Sequence, residues 1–295
     1  MKVTVTGSSG LIGGALVRSL RADGHDVLRL VRREPIAADE ARWSPADGCV
    51  ERAAVDGTDA VVHLAGAGLG DRPWTKTYKR RVRDSRVDGT RTLAQAIAAA
   101  GRRPPVLVSG SAIGYYGDTG GREVDEKAAM GRGFLAGVVR DWEAAAEPAR
   151  EVGVRVVHPR TGVVLARSGG LLGRTLPLFR LGLGGRLGDG RQWTSWISLH
   201  DQVAALRFLI DHELAGPVNL TAPNPVTNAE YTRALGAALR RPVRLGVPRF
   251  ALRAVLGGFA DEGPLISQRV LPRRLEEAGF RFEHTEVAAA LRAVL

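Results

Sequence analysis

The 295 residues predict an α/β fold: a doubly wound parallel sheet carrying a small, mostly helical C-terminal domain. Three observations point to it. The chain opens on a β-branched run, a glycine turn and an amphipathic helix in unbroken succession, MKVTVTGSSGLIGGALVRSL. Short apolar runs then alternate with helical periodicity as far as Leu220, as strand–helix–strand units require. Past that point helical patterns dominate, at about 227–240, 248–256, 267–278 and 285–295.

The opening run sets the fold type. Lys2 to Thr6 has the composition of a buried parallel strand, and Leu11, Ile12, Leu16, Val17 and Leu20 repeat at helical spacing. Between them lie Gly7, Gly10 and Gly13, spaced G-x-x-G-x-x-G. Gly7 permits the turn, Gly10 lets backbone approach a pyrophosphate, and Gly13 lets helix and strand pack closely. With Ser9, Leu11 and Ile12 at the helix start, this is the phosphate cradle of a Rossmann-type dinucleotide-binding domain.

The second strand, Asp26 to Val31, identifies the dinucleotide. An NAD enzyme places a carboxylate at its end for the ribose 2′-hydroxyl, whereas here Arg32 and Arg33 follow. Two guanidiniums suit a 2′-phosphate, so the expected cofactor is NADP(H). Residues 35–58 are poorly patterned, with Trp43-Ser44-Pro45 read as a short third strand and turn. Asp59 to Leu64 is the next strand. It ends in Leu64, Ala65 and Gly66, small enough for the cofactor to lie against the backbone, and its His63 reads as a packed core histidine.

Asp71 to Arg91 is a basic loop and helix whose Arg81 and Arg86 are placed toward the cofactor. Pro105 to Ser109 is a strand running into Ser111, Tyr115 and Tyr116. Residues 133–150 form an amphipathic helix, and Val154 to His158 a fifth strand that closes on Arg160, expected beside the nicotinamide. Ser168 to Trp193 is glycine-rich and carries Arg174, Arg180, Arg186 and Arg191, which suit an anionic or nucleotide-linked small-molecule substrate. Trp193 to Ile197 reads as a strand, Asp201 as the N-cap of a helix over Gln202 to Asp211, and Val218 to Leu220 as a sixth strand. The expected domains are 1–222, with a lid insertion at about 166–196, and 223–295.

Composition excludes other classes. The net charge of +11 comes from scattered arginines, with lysine only at positions 2, 76, 79 and 127, so nucleic acid is not expected as a partner. No apolar run is long enough to span a membrane, and the N-terminus has no signal-peptide pattern. The one cysteine, Cys49, cannot form an intramolecular disulfide or a thiolate cluster; a cytoplasmic protein without a metal site is expected. No pattern fixes the oligomeric state, and a homo-oligomer stays open.

Several stretches resemble the SDR39U1-like epimerase family of extended short-chain dehydrogenases/reductases. They are Trp74 with Ser85-Arg86, Tyr115-Tyr116-Gly117, Trp142-Glu143, Arg160 to Leu165, Phe179 to Gly185 and Ser195-Trp196-Ile197. Ser267 to Pro272 and Ala278-Gly279-Phe280 resemble that family's small C-terminal domain. The resemblance implies an NADP(H)-linked oxidoreductase or epimerase-like activity, with Ser111 at the position of the catalytic Ser/Thr.

One departure bears on mechanism. The wider superfamily uses a Tyr-x-x-x-Lys pair, but residues four beyond Tyr78, Tyr115, Tyr116 and Tyr231 are Val82, Thr119, Gly120 and Leu235. The expected place of the pair falls near Phe134-Leu135 and Val138-Val139, all apolar, and Arg86 replaces an asparagine usual before Val-x-Gly-Thr. Tyr115 and Tyr116 are the nearest phenols to Ser111, with Arg86 as the cation to activate one of them. The rival expectation is an NADPH-binding regulator or interaction protein with little or no turnover.

Overall fold

The fold is described from a computed structural model covering residues 1–295. Its main sheet comprises β1 (Lys2–Thr6), β2 (Asp26–Val31), β3 (Glu40–Ser44), β4 (Cys49–Val50), β5 (Ala60–His63), β6 (Val106–Ser109), β7 (Ser111–Ala112), β8 (Arg155–Thr161) and β9 (Gly216–Leu220). The order across it is β9-β8-β6-β5-β1-β2-β3-β4, with β7 continuing beside β8. Every pairing is parallel except that of β3 with β4. The connections run outward in both directions from the β1/β5 boundary, which makes the carboxyl ends of these strands the topological switch point.

Strand alternation divides the core between two helical layers. Val3, Val5, Ala60, Val62, Val106 and Val108 pack in one cluster with Leu16 and Leu20 of α1 (Leu11–Ala22) and Leu206 and Leu209 of α6 (Leu199–Asp211). Val61, Leu107 and Val156 belong to the opposite cluster, with Leu93 and Ile97 of α2 (Lys76–Ala98) and Ala149 of α4 (Glu147–Glu151). Each such leucine or valine, fully buried, contributes ~1.5–3 kcal/mol. Thr4 is buried in β1 because its hydroxyl donates to Ala54 O at 2.6 Å.

Some expected elements fall differently. The helix expected over 133–150 is split into α3 (Phe134–Ala144) and α4, with Pro148 in the first turn of the latter. The glycine-rich stretch contains a helix, α5 (Gly170–Arg180), whose Leu172, Leu176 and Phe179 are buried at helical spacing. They share a core with Trp196, with Tyr231 and Leu235 of α7 (Asn228–Leu239), and with Leu291 of α11 (Val287–Val294). Between α7 and α11 come α8 (Arg249–Leu256), α9 (Phe259–Glu262) and α10 (Arg273–Glu277), the last starting only after Pro272.

Asp201 is not the N-cap of α6. That role falls to Ser198, whose Oγ accepts from Asp201 N at 3.0 Å. The buried Asp201 carboxylate instead accepts from Glu283 N at 2.9 Å and His284 N at 3.0 Å. No helix is long and apolar enough to cross a membrane.

Candidate functional site

A cleft of about 1170 Å3 opens over the carboxyl ends of β1, β2 and β5. Gly7, Ser9 and Gly10 form one wall, Leu64, Ala65 and Gly66 another. Gly7 has φ of +68°, and a Cβ there would stand 2.8 Å from Leu64 C. At Gly10 a Cβ would have only Gly7 O, at 3.2 Å, within 4 Å, so the glycine keeps open the space that an anion needs. Gly13 lies behind the wall, where a Cβ would stand 2.2 Å from Gly7 O. No side chain caps α1 and its first turn holds no carboxylate. Leu11 and Ile12 therefore present only backbone N–H groups at the helix start, while their side chains pack against Gly169 and the first core cluster.

Thr6 and His63 set the second wall. Thr6 Oγ1 accepts from Leu64 N at 3.1 Å and Ala65 N at 3.3 Å, so its proton goes to His63 Nδ1 at 2.7 Å. His63 is thus a neutral acceptor, and burial, followed by the charge of Arg86, pushes its pKa down to about 3.

Arg32, Arg33 and Arg81 line the same cleft. Arg32 is exposed and has no carboxylate within 4.0 Å. Arg33 is held by Glu40, with Nη2 to Oε1 at 2.6 Å and Nη1 to Oε2 at 2.8 Å. The Arg33 hydrogen bond is the main cause that keeps the Glu40 carboxyl well below the usual carboxylate range. Arg86 does not line the cleft. It donates to Ala67 O at 2.9 Å and Val82 O at 3.0 Å and lies over the Trp142 ring, and desolvation lowers its pKa to about 10.

A second polar group sits beside β7 and β8. Ser111 Oγ donates to Glu143 Oε1 at 2.6 Å, and Arg160 binds both Glu143 oxygens at 2.9 Å. Arg160 also donates to Tyr116 Oη at 3.0 Å, and Tyr116 donates to Asn219 Oδ1 at 2.8 Å. The half-buried Tyr115 ring covers the guanidinium at 3.5 Å. Burial acts to raise the Glu143 pKa, but Arg160 outweighs it and holds the carboxyl below its ordinary value. Burial pushes the Tyr116 phenol up to about 12. Arg160 is therefore bound into this cluster rather than the cleft, and it, not Arg86, is the cation facing the tyrosines.

Residues 3–221 match the NAD dependent epimerase/dehydratase family. The chain belongs to that family. Residues 247–294 of this epimerase-family chain match a domain of unknown function, DUF1731. An epimerase family protein of Mycobacterium leprae is 51% identical over 290 residues, covering 98% of this chain and 94% of that protein. Epimerase family protein SDR39U1 of Bos taurus is 38% identical over 300 residues, with 100% of both chains covered. The crystal structure of human SDR39U1 (isoform 2) with NADPH has a TM-score of 0.92 at 35% identity, covering 100% of this chain and 99% of that one.

In this epimerase-family fold, the positions expected for the Tyr-x-x-x-Lys pair hold no proton donor: Val138 and Val139 are buried, and Leu135 and Val139 pack near Gly114. Sequence reasoning gave no role to Thr6, Glu40, Glu143 or Asn219. Glu143 carried the clearest signal, a carboxylate beside Trp142 on α3, already part of the family pattern. The other three depend on contacts between separate strands or with distant loops.

Proposed function

We propose that this chain binds NADP(H) and uses it in an oxidoreductase or epimerase-like reaction on a small anionic or nucleotide-linked substrate. The observation that carries the reading is the Gly7–Gly10 cradle before an uncapped α1, with Arg32 free at the end of β2. The NADPH complex of human SDR39U1 supports the choice of cofactor. When bound, NADP(H) would supply or accept a hydride. The first-turn N–H groups of α1 would hold the pyrophosphate, and Arg32, with Arg33 preset by Glu40, the 2′-phosphate.

The acid–base work is assigned to Ser111 and Glu143. Because Ser111 donates to Glu143, its oxygen faces a substrate as an acceptor. A substrate hydroxyl would give its proton to Ser111 Oγ while the serine proton passes to Glu143 Oε1, with Arg160 holding the carboxylate in place. Tyr116, with its phenol at about 12 and both hydrogen-bond roles filled, moves no proton near neutrality. The exposed, unpaired Cys49 accords with a cytoplasmic location.

The test is to titrate NADPH and NADH by calorimetry, then follow cofactor absorbance and product isomers across carbonyl compounds and sugar nucleotides. Preference for NADPH, with turnover abolished by Ser111→Ala and Glu143→Gln in proteins that stay folded by circular dichroism and still bind NADPH, supports the proposal; turnover that survives both substitutions refutes the assigned relay. The absence of the Tyr-x-x-x-Lys pair favours a second reading, an NADPH-binding regulator. Tight NADPH binding with no turnover across the panel would move that reading ahead.

A further inference from the structure

Lys79 stands near the start of α2, on the side of that helix that meets the first residue of α3. Its ammonium lies 5.0 Å from the Phe134 ring centre and 5.2 Å from that of Trp74. The Trp74 ring is packed edge-on by Phe134 at 5.3 Å and obliquely by Phe259 of α9 at 5.2 Å, and its Nε1 donates to Leu69 O. A half-buried ammonium is thus held at an aromatic junction joining the loop before α2, the start of α3 and the C-terminal helices.

The carboxylates of Glu262 and Asp71 are committed elsewhere. Glu262 of α9 accepts from Phe134 N at 3.1 Å and Leu135 N at 2.7 Å, and Asp71 accepts from Arg174 at 2.6 Å. Arg160 is tied to Glu143, and Arg86 to two backbone carbonyls. No carboxylate lies within 4.0 Å of Lys79, so this cation is left without a counter-charge where the apolar start of α3 replaces the missing pair. Aromatic faces favour a cation but offer its N–H groups no hydrogen-bonding oxygen of the protein.

We infer that Lys79 is a substrate-binding residue, and that its ammonium receives an anionic group, phosphate or carboxylate, of the substrate. This rests on the proposed function and adds to it the point at which the substrate's charge is fixed. The aromatic rings orient the lysine stem, and the anion supplies the acceptors that the rings lack.

The test uses UDP as a phosphate probe and citrate as a carboxylate probe, each titrated by calorimetry at low salt. The protein is either saturated with NADPH or carries Gly10→Val, which fills the cradle and keeps the probes out of the cofactor cleft. At least one probe should bind. Lys79→Met, which keeps the stem and removes the charge, should weaken it tenfold or more, and Lys79→Arg should restore it to within threefold. NADPH affinity should be the same in all three proteins, and all three should stay folded at the assay temperature, with Lys79→Met melting no more than slightly lower. If neither probe binds, or if Lys79→Met binds as the parent does, the assignment is overturned. Failure of NADPH to bind the parent would refute the cofactor reading instead, and the Gly10→Val titrations would still decide Lys79.

Discussion

Arg160 and Glu143 meet through two parallel N–H···O bonds of 2.9 Å, with the arginine side chain 3% exposed and the glutamate 14%. Neither group can be removed alone without leaving the other uncompensated. Glu143→Gln should therefore destabilise the protein by about 3–5 kcal/mol, read as a shift in the denaturation midpoint. The effect should depend on pH. Arg160 lowers the folded-state pKa of Glu143, so the stabilisation is present above the unfolded value of about 4.3 and is lost as pH falls through the folded value. The stability gap between parent and variant should narrow on acidification below about pH 4.

Arg32 and Arg33 should differ in their effects. Arg32→Ala removes a free guanidinium from the cleft and should weaken NADPH by ~1.5–3 kcal/mol while leaving NADH unchanged. Arg33→Ala also strips Glu40 of its two-point partner, leaving it only Arg29 at 3.1 Å and Ile36 N at 2.9 Å, so a less well compensated carboxylate stands near the 2′-phosphate and the NADPH loss should be the larger. Calorimetry with both nucleotides checks this; equal NADPH and NADH affinities in the parent would remove its basis.

Gly10 and Gly13 separate binding from folding. Gly10→Val should abolish cofactor binding, seen by fluorescence titration, and leave the circular dichroism spectrum unchanged. Gly13→Ala puts a methyl group where only 2.2 Å is available to Gly7 O, so α1 must move off β1. Its main effect should be a loss of stability of roughly 1–3 kcal/mol.

Tyr116→Phe removes a hydroxyl that bridges Arg160 and Asn219. The expected outcome is a stability loss of about 1–3 kcal/mol, with any turnover retained. Loss of turnover in a stably folded Tyr116→Phe protein would return the tyrosine to the acid–base role.

Arg174 of α5 reaches Gly70 O and Asp71, beside the cofactor cleft. Both side chains of this ion pair are more than half exposed, at 57% and 54%, so Arg174→Ala should change stability by less than ~1 kcal/mol. The loop around Asp71 should nevertheless become freer, and NADPH should dissociate several times faster in a stopped-flow displacement experiment.

The fold was legible because its central strands are buried on both faces and so appear as short β-branched, largely apolar runs, while the glycine turn opens the chain. The cradle was legible for the same reason: Gly7, Gly10 and the first turn of α1 are neighbours in sequence. Arg33 shows where this reading stops. Its partner Glu40 comes from β3, and only the register that sets Arg29 opposite Glu40 brings the two together. Arg160 was placed by its strand end alone, but the carboxylate on α3 captures it. In α5 the glycines obscured Leu172, Leu176 and Phe179, whose partners lie in the last helices of the chain.

The Asp201 carboxylate bears on how the C-terminal segment is fastened to the rest of the chain. It grips Glu283 and His284, while Ala222 N donates to Trp196 O two residues before the Ser198 cap of the same helix. The chain thus leaves the sheet after β9 and comes back against the start of α6 close to where it left, and between these points Gln268 donates to Ile113 O and Gly117 O. With Phe259 and Glu262 resting on Trp74 and the start of α3, the segment is riveted along its length rather than hung from one edge, so it would come away only as a whole.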